Sequence, residues 1–200
     1  MSETLINKNQ IADGGGGIPS RYTVVNYIES DGKAILNTKI KPDSTVVIQA
    51  KFVYSHYSGG TFIGGQTENR ENGLRFFVSS TRTFLDYGSE GNRILTEDAV
   101  RSTSATYEYE LGNRYIKDLS NDTTIVSASA VSFNQLNFDI KVFSEGDYGK
   151  LLQLKIYKDG NLVRDYVPVL DTTENIYGMY DMVTQNFYPS ITDVDFTGGN

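Results

Sequence analysis

Cysteine and tryptophan are absent from this 200-residue chain, histidine occurs once and proline four times. Without cysteine there is no disulfide and no thiolate metal site, so the fold must hold by burial alone. A chain of this length can bury roughly 70% of its unfolded surface, enough for one core without staples, and all-β sandwiches commonly use such a length as a single unit. The single His56 excludes any scheme needing two imidazoles, and no Gly-x-Ser-x-Gly nucleophile turn is present. Basic runs are lacking too. With 18 Lys and Arg against 25 Asp and Glu, the net charge is −7. Such a surface repels a phosphate backbone and an anionic bilayer, so neither nucleic acid nor membrane is an expected partner. No stretch approaches the ~20 apolar residues of a membrane-spanning helix. Met1–Ser20 has neither the basic n-region nor the apolar core of a signal peptide, which leads to the expectation of a product assembled in the cytoplasm.

What is present is aromatic and alternating. Tyr occurs 14 times and Phe 10 times, and both favour strands. From Arg21 onward the side-chain period is two. Val46, Ile48, Ala50, Phe52 and Tyr54 share one face, opposite Thr45, Gln49 and Lys51. The sets Leu74/Phe76/Val78, Ala105/Tyr107/Tyr109/Leu111, Phe138/Ile140/Val142 and Leu152/Leu154/Ile156 repeat the pattern. Asp31-Gly32, Asn72-Gly73 and Asp159-Gly160 supply residues that tolerate positive φ, as two-residue turns need. The spacing predicts a hairpin at Asp159-Gly160 and another at Gly112-Asn113, and it puts Pro42, Pro168 and Pro189 near strand ends. Many short strands with no helical period predict an all-β, two-sheet antiparallel sandwich over residues 21–200.

Residues 1–20 differ. Leu5, Ile6 and Ile11 stand ahead of four consecutive glycines, Gly14 to Gly17, a flexible hinge. Two readings stand for this segment: a frayed terminus, or a short peptide that docks elsewhere and leaves the sandwich free to swing. Candidate ligand-contact residues lie where strands run into loops: Tyr54, His56 and Tyr57 in one place, Asn69 and Arg70 in a second, Asn92 and Arg93 in a third. Asp193 and Asp195 on one strand face, and Glu145 with Asp147 in a turn, are the only hints of calcium, too few for a six-to-eight-oxygen shell, so no metal and no cofactor are expected.

Two stretches carry a resemblance. One is Tyr27-Ile28-Glu29-Ser30-Asp31-Gly32 through Asn37-Thr38 to Lys41-Pro42. The other is Ile156 to Pro168 followed by Gly178-Met179-Tyr180-Asp181, Asn186-Phe187-Tyr188 and Asp195 to Gly199. Both resemble concanavalin A-like, laminin-G-like jelly-roll domains of phage virion and bacterial surface proteins. The resemblance implies a jelly roll, a head- or tail-fibre or decoration role in a virion, and attachment to other virion proteins through the N-terminal peptide. It also implies host-surface glycans as ligands and a homo-oligomer such as a trimer. Glycoside hydrolysis on the same fold is the alternative. Glu108 and Glu110 have a permissive separation, but the Tyr107/Tyr109/Leu111 face is the core face, which turns both carboxylates to solvent. No Glu-x-Asp-x-Glu run of the laminarinase type accompanies them, so no catalytic residue is assigned.

Overall fold

The computed structural model describes residues 17–200 except 57–59, 68–71, 80, 98–99, 101 and 145. Leu5, Ile6 and Ile11 therefore lie outside the described residues, as do Tyr57, Asn69 and Arg70. The strands are β1 (Tyr22–Val24), β2 (Tyr27–Asp31), β3 (Leu36–Asn37), β4 (Val47–His56), β5 (Gly60–Gln66), β6 (Asn72–Val78) and β7 (Thr83–Ser89). They continue with β8 (Ile94–Thr96), β9 (Thr106–Gly112), β10 (Tyr115–Asp118), β11 (Thr123–Ser127), β12 (Lys141–Val142) and β13 (Tyr148–Lys158). The last are β14 (Asn161–Asp171), β15 (Ile176–Asp181), β16 (Asn186–Tyr188) and β17 (Thr197–Gly199). A 3-10 turn, Glu90–Asn92, is the only helical element among the described residues, and no helix there is long and apolar enough to cross a membrane.

The strands form two antiparallel sheets packed as a jelly-roll-like sandwich, as the two-residue period requires. The larger sheet runs β11-β10-β9-β4-β13-β14-β15-β16, with β2 on β13, β17 on β2 and β1 on β14. The smaller runs β3-β12-β5-β6-β7-β8. Ile48, Ala50 and Phe52 of β4 face inward, as do Leu74, Phe76 and Val78 of β6 from the opposite sheet, and all six are buried. The Phe52 ring joins the layers, with centroids 4.8 Å from Phe62, 5.9 Å from Phe76 and 5.7 Å from Tyr109. A fully buried Phe contributes about 1.5–3 kcal/mol through burial, before the gain from ring-edge geometry.

Strand β13 departs from the simple rhythm. Leu151 opposes Phe52 and Gln153 opposes Lys51, which leaves Leu152 as an extra residue in a β-bulge. Leu151 and Leu154 are therefore both buried while Leu152 is half-buried, which corrects the alternation expected for Leu152, Leu154 and Ile156. The bulge marks a change of neighbour. Before it, Tyr148 to Leu151 pair with β2; after it, Leu154 to Lys158 pair with β14.

Turn chemistry is partly as expected. Asp159 and Gly160 have φ of 52° and 74°, the double positive φ of a type I′ turn, between the paired residues Lys158 and Asn161. The hairpin near residue 112 is shifted by one: Gly112 still pairs with Tyr115, and the turn is Asn113-Arg114. Gly112 is required by contact rather than by φ, since a Cβ there would lie 2.2 Å from the Tyr115 ring. Arg114 takes the positive φ of 60°, its guanidinium held by the carbonyls of Asn92 at 3.1 Å and Ser129 at 3.0 Å. Asn72-Gly73 is not a turn but the start of β6, paired with β5 and β7. Pro168 is not at a strand end either. It lies inside β14, where pairing to β13 has stopped at Tyr166 and pairing to β1 starts at Val169. Its carbonyl accepts from Val25 on that side, so the missing N–H faces a gap in the ladder, where it costs little.

Two successive hairpins share one device. Asp171 ends β14 and Asp181 ends β15, each followed by four loop residues, the last being Asn175 or Gln185 at φ of 57° or 58°. Asp171 accepts from the backbone N–H groups of Thr173 and Glu174, and Asp181 from those of Val183 and Thr184. Asp181 is fully buried and also accepts from the Asp165 N–H at 2.9 Å and the Thr184 hydroxyl at 2.6 Å, with Arg164 at 3.5 Å. Asp181 of the Gly178-Met179-Tyr180-Asp181 stretch is thus a turn-closing residue. Replacing Asp181 by Ala is expected to destabilise the fold by about 3 kcal/mol, the size typical of breaking a buried charged network. Urea unfolding measures it, and a loss below about 1 kcal/mol would contradict this role.

Candidate functional site

The structure places Tyr54, Arg93 and the Asn92 carbonyl in structural roles, while Tyr57, Asn69 and Arg70 lie outside the described residues. Tyr54 is fully buried: its hydroxyl shares one proton between the Val78 carbonyl at 3.3 Å and Asp147 Oδ1 at 3.2 Å, and its ring meets Phe62 edge-on at 5.3 Å. It offers no surface to a ligand. The reason lies in its parity, since Tyr54 stands two residues after Phe52 on the inward face of β4. His56 ends that strand, its backbone paired with Tyr148. Arg93 lies with its guanidinium 3.9 Å over the Phe84 ring and donates to Asp86 at 2.7 and 3.1 Å and to Glu90 at 3.1 Å. Arg75 grips the same two carboxylates, with Nε 2.9 Å from Asp86 and Nη2 3.0 Å from Glu90. Two cations and two anions close a neutral cluster around buried Asp86, and the hydrogen bond to Asp86 raises the Arg93 pKa. Arg93 and the Asn92 carbonyl, which accepts from Arg114, brace this corner.

The acidic hints resolve likewise. Asp193 lies in a bend and is exposed rather than sharing a strand face with Asp195. Asp147 is buried, accepting from the Ser144 hydroxyl, from the Ser144 N–H at 3.1 Å and from Tyr54. Among the described residues, no group of three or more His, Asp or Glu side chains is arranged to hold a metal. On the outer face of the larger sheet, Glu108 pairs with Lys51 at 3.3 Å. Glu110 accepts from Gln49 and from the Tyr115 hydroxyl, both at 2.7 Å. The small dent of about 110 Å³ beside them has Glu108 as the one carboxylate in its lining. The paired carboxyl groups that glycoside hydrolysis uses do not flank it.

A larger feature lies at the margin of the smaller sheet: a cleft of about 440 Å³ between the ends of β3 and β5 and the segment leading into β12. Its walls come from chain stretches about a hundred residues apart. The backbone of 38–42 is stitched to that of 136–140 by Thr38 N–H to the Ile140 carbonyl (3.0 Å), Ile140 N–H to Ile40 (2.8 Å) and Leu136 N–H to Pro42 (2.8 Å). On this base, Asn37 Nδ2 donates to Asp139 Oδ2 at 3.1 Å and the Lys41 ammonium to Asn137 Oδ1 at 2.9 Å. Phe138, expected in the core with Ile140 and Val142, is instead half-buried on the cleft wall. Its ring lies so close on Gly65 that a Cβ there would be 2.8 Å away, so the glycine is what admits the ring. Gln66 lines the cleft next to it, and its buried Oε1 has no hydrogen-bond partner among the described residues. Lys141, exposed, completes the rim.

Chemically, the cleft offers amide and ammonium donors, the acceptors Asp139 and Gln66, and one aromatic wall. Such a set of a few polar groups beside an apolar surface orients a small ligand. Sequence reasoning missed it because Asn37 and Asp139 are 102 positions apart. The one local signal was the amide-rich run Asn134-Gln135-Leu136-Asn137-Phe138.

Burial raises the Asp147 pKa, against the opposing pull of its Ser144 and Tyr54 hydrogen bonds. A raised folded pKa means that the native state binds the proton more tightly than the unfolded chain does. Its contribution to stability is therefore full below the ordinary carboxylate value of about 3.9 and is lost as pH rises through the folded pKa. Asp147→Asn should accordingly gain stability relative to wild type as pH rises from 4 to 8, read from thermal melts. A difference that stays flat or reverses sign over that range would contradict the assignment. In comparisons with known proteins, the chain matches no family model and no curated protein.

Proposed function

We propose that the protein is a non-catalytic recognition module that binds a saccharide in the cleft between Asn37, Gln66, Phe138 and Lys141. The observation that carries this reading is the buried, unpartnered Oε1 of Gln66, a residue that lines the cleft together with Phe138. An acceptor left without a partner costs about 1–3 kcal/mol. Once the Gln66 side chain turns its oxygen to the cleft, a sugar hydroxyl can donate to it while accepting from an amide or ammonium, since a hydroxyl does both. The neighbouring ring covers the apolar face of the sugar. A few such hydrogen bonds, each worth about 0.5–1.5 kcal/mol net, give an affinity near about 1 mM, or −4 kcal/mol.

So weak a site gains from multivalent display, where avidity exceeds single-site affinity by about 10² or more. This supports placing the module on a phage particle as a fibre or decoration protein. The resemblance of Tyr27–Pro42 and Ile156–Gly199 to concanavalin A-like virion domains points the same way, as does the Leu5, Ile6 and Ile11 peptide ahead of its glycines. In this reading the N-terminal peptide anchors the protein to other virion proteins, and an oligomer turns its clefts toward host-surface glycans.

Two experiments test the proposal. Gln66→Ala should weaken saccharide binding, measured by NMR titration, roughly fivefold, the loss of one hydrogen bond, while the unfolding midpoint does not fall, since the unsatisfied acceptor is removed with it. Unaltered binding would remove Gln66 from the site. Deleting residues 2–13 should abolish incorporation into particles assembled in the host, and undiminished incorporation would refute the anchoring role.

A further inference from the structure

The charge distribution around the cleft narrows the class of saccharide. Carboxylates outnumber cations on this chain, and five of its nine described lysines pair with them. Lys51, Lys117, Lys150, Lys155 and Lys158 pair with Glu108, Asp122, Glu29, Asp165 and Asp43 at 2.6 to 3.9 Å. The exposed Lys33 and Lys39 do not, and neither do Lys41 and Lys141, which differ from them in lining one cleft together. Lys41 donates to the neutral amide oxygen of Asn137, and neither Lys41 nor Lys141 has a carboxylate within ion-pair distance among the described residues. Strand register explains Lys141: its cross-strand neighbours are Asn37 on β3 and Gly64 on β5, so neither side offers a charge. The one carboxylate on the cleft wall, Asp139, has Oδ2 engaged by Asn37 Nδ2. Two ammonium groups against one engaged carboxylate make the cleft locally cationic on a protein of net charge −7.

We infer that the cleft selects an anionic saccharide, one carrying a carboxylate or sulfate that sits between Lys41 and Lys141 while a hydroxyl of the same sugar donates to Gln66 Oε1. The inference rests on the reading of the cleft as a saccharide site and adds the charge of its ligand. Hydrogen bonds from a cationic donor to an anionic acceptor are about twice as strong as neutral ones, so the anionic group provides the larger part of selectivity. The anion must approach against the overall negative field, so binding is selective without being fast.

The test uses the full chain and NMR titrations with three oligosaccharides of equal length: an oligogalacturonate, its methyl ester and a sulfated galactan. The oligogalacturonate should bind about tenfold tighter than its ester. That advantage should vanish in Lys141→Gln, persist in Lys33→Gln, which alters an exposed lysine outside the cleft, and shrink with added salt as screening grows. The amide spectrum of each variant verifies its fold. Tight binding of the sulfated sugar alone supports the same inference and identifies sulfate as the anion. If acid, ester and sulfated sugar bind the cleft equally, the charge selection falls while the saccharide site stands. If none of the three binds, both fall together.

Discussion

One extra residue in one strand underlies most of this architecture. The bulge at Leu152 lets β13 keep β4 on one edge along nearly its whole length while it exchanges β2 for β14 on the other. Without the bulge, Leu151 and Leu154 would have opposite parity, and one of them would face water. With it, both enter the core, and the sheet widens into two branches. The β2 branch, held by Ser30 and the Ala34 carbonyl at 2.8 Å, leads directly into Leu36-Asn37 and so to one wall of the cleft. The β14 branch supplies Arg164 and Tyr166, whose side chains donate to the Thr38 carbonyl at 3.3 and 3.1 Å and fix the chain just after Asn37. The cleft wall is thus pinned from both branches.

The distribution of polar groups follows the same logic. Buried carboxylates at Asp86, Asp171 and Asp181 each have hydrogen-bond donors arranged around them, as burial demands. The sandwich is well satisfied inside and on the outer face of its larger sheet, where Glu108 and Glu110 are engaged. Among the described residues, the cleft brings together an orphan acceptor and two lysines without counter-ions. Local departures of this kind gather at functional positions.

Much of the fold was legible because parity and turn chemistry are local. Val46 to Phe52 alternate without interruption, and Asp159-Gly160 can hardly be anything but a turn. Other features depend on context. Leu151-Leu152-Gln153-Leu154 allows two parities, and only pairing with both β2 and β14 decides between them. Arg114 has no intrinsic preference for positive φ and adopts it because distant carbonyls of Asn92 and Ser129 hold its side chain. Tyr54 next to a loop carries the same signal whether its hydroxyl meets a ligand or, as here, a buried aspartate. The cleft was the least legible feature. Its donors and acceptors are set by backbone bonds between residues near 40 and residues near 138, and neither stretch alone contains the site.

Backbone amide mapping by NMR tests the central claim most directly. During titration with a pooled set of neutral and acidic oligosaccharides, perturbed amides should cluster at residues 37–41, 65–66 and 137–141 and leave the outer face of the larger sheet unchanged. Perturbation centred instead on Gln49, Glu108 and Lys155, or none anywhere at saturating sugar, would contradict the assignment of this cleft as the binding site.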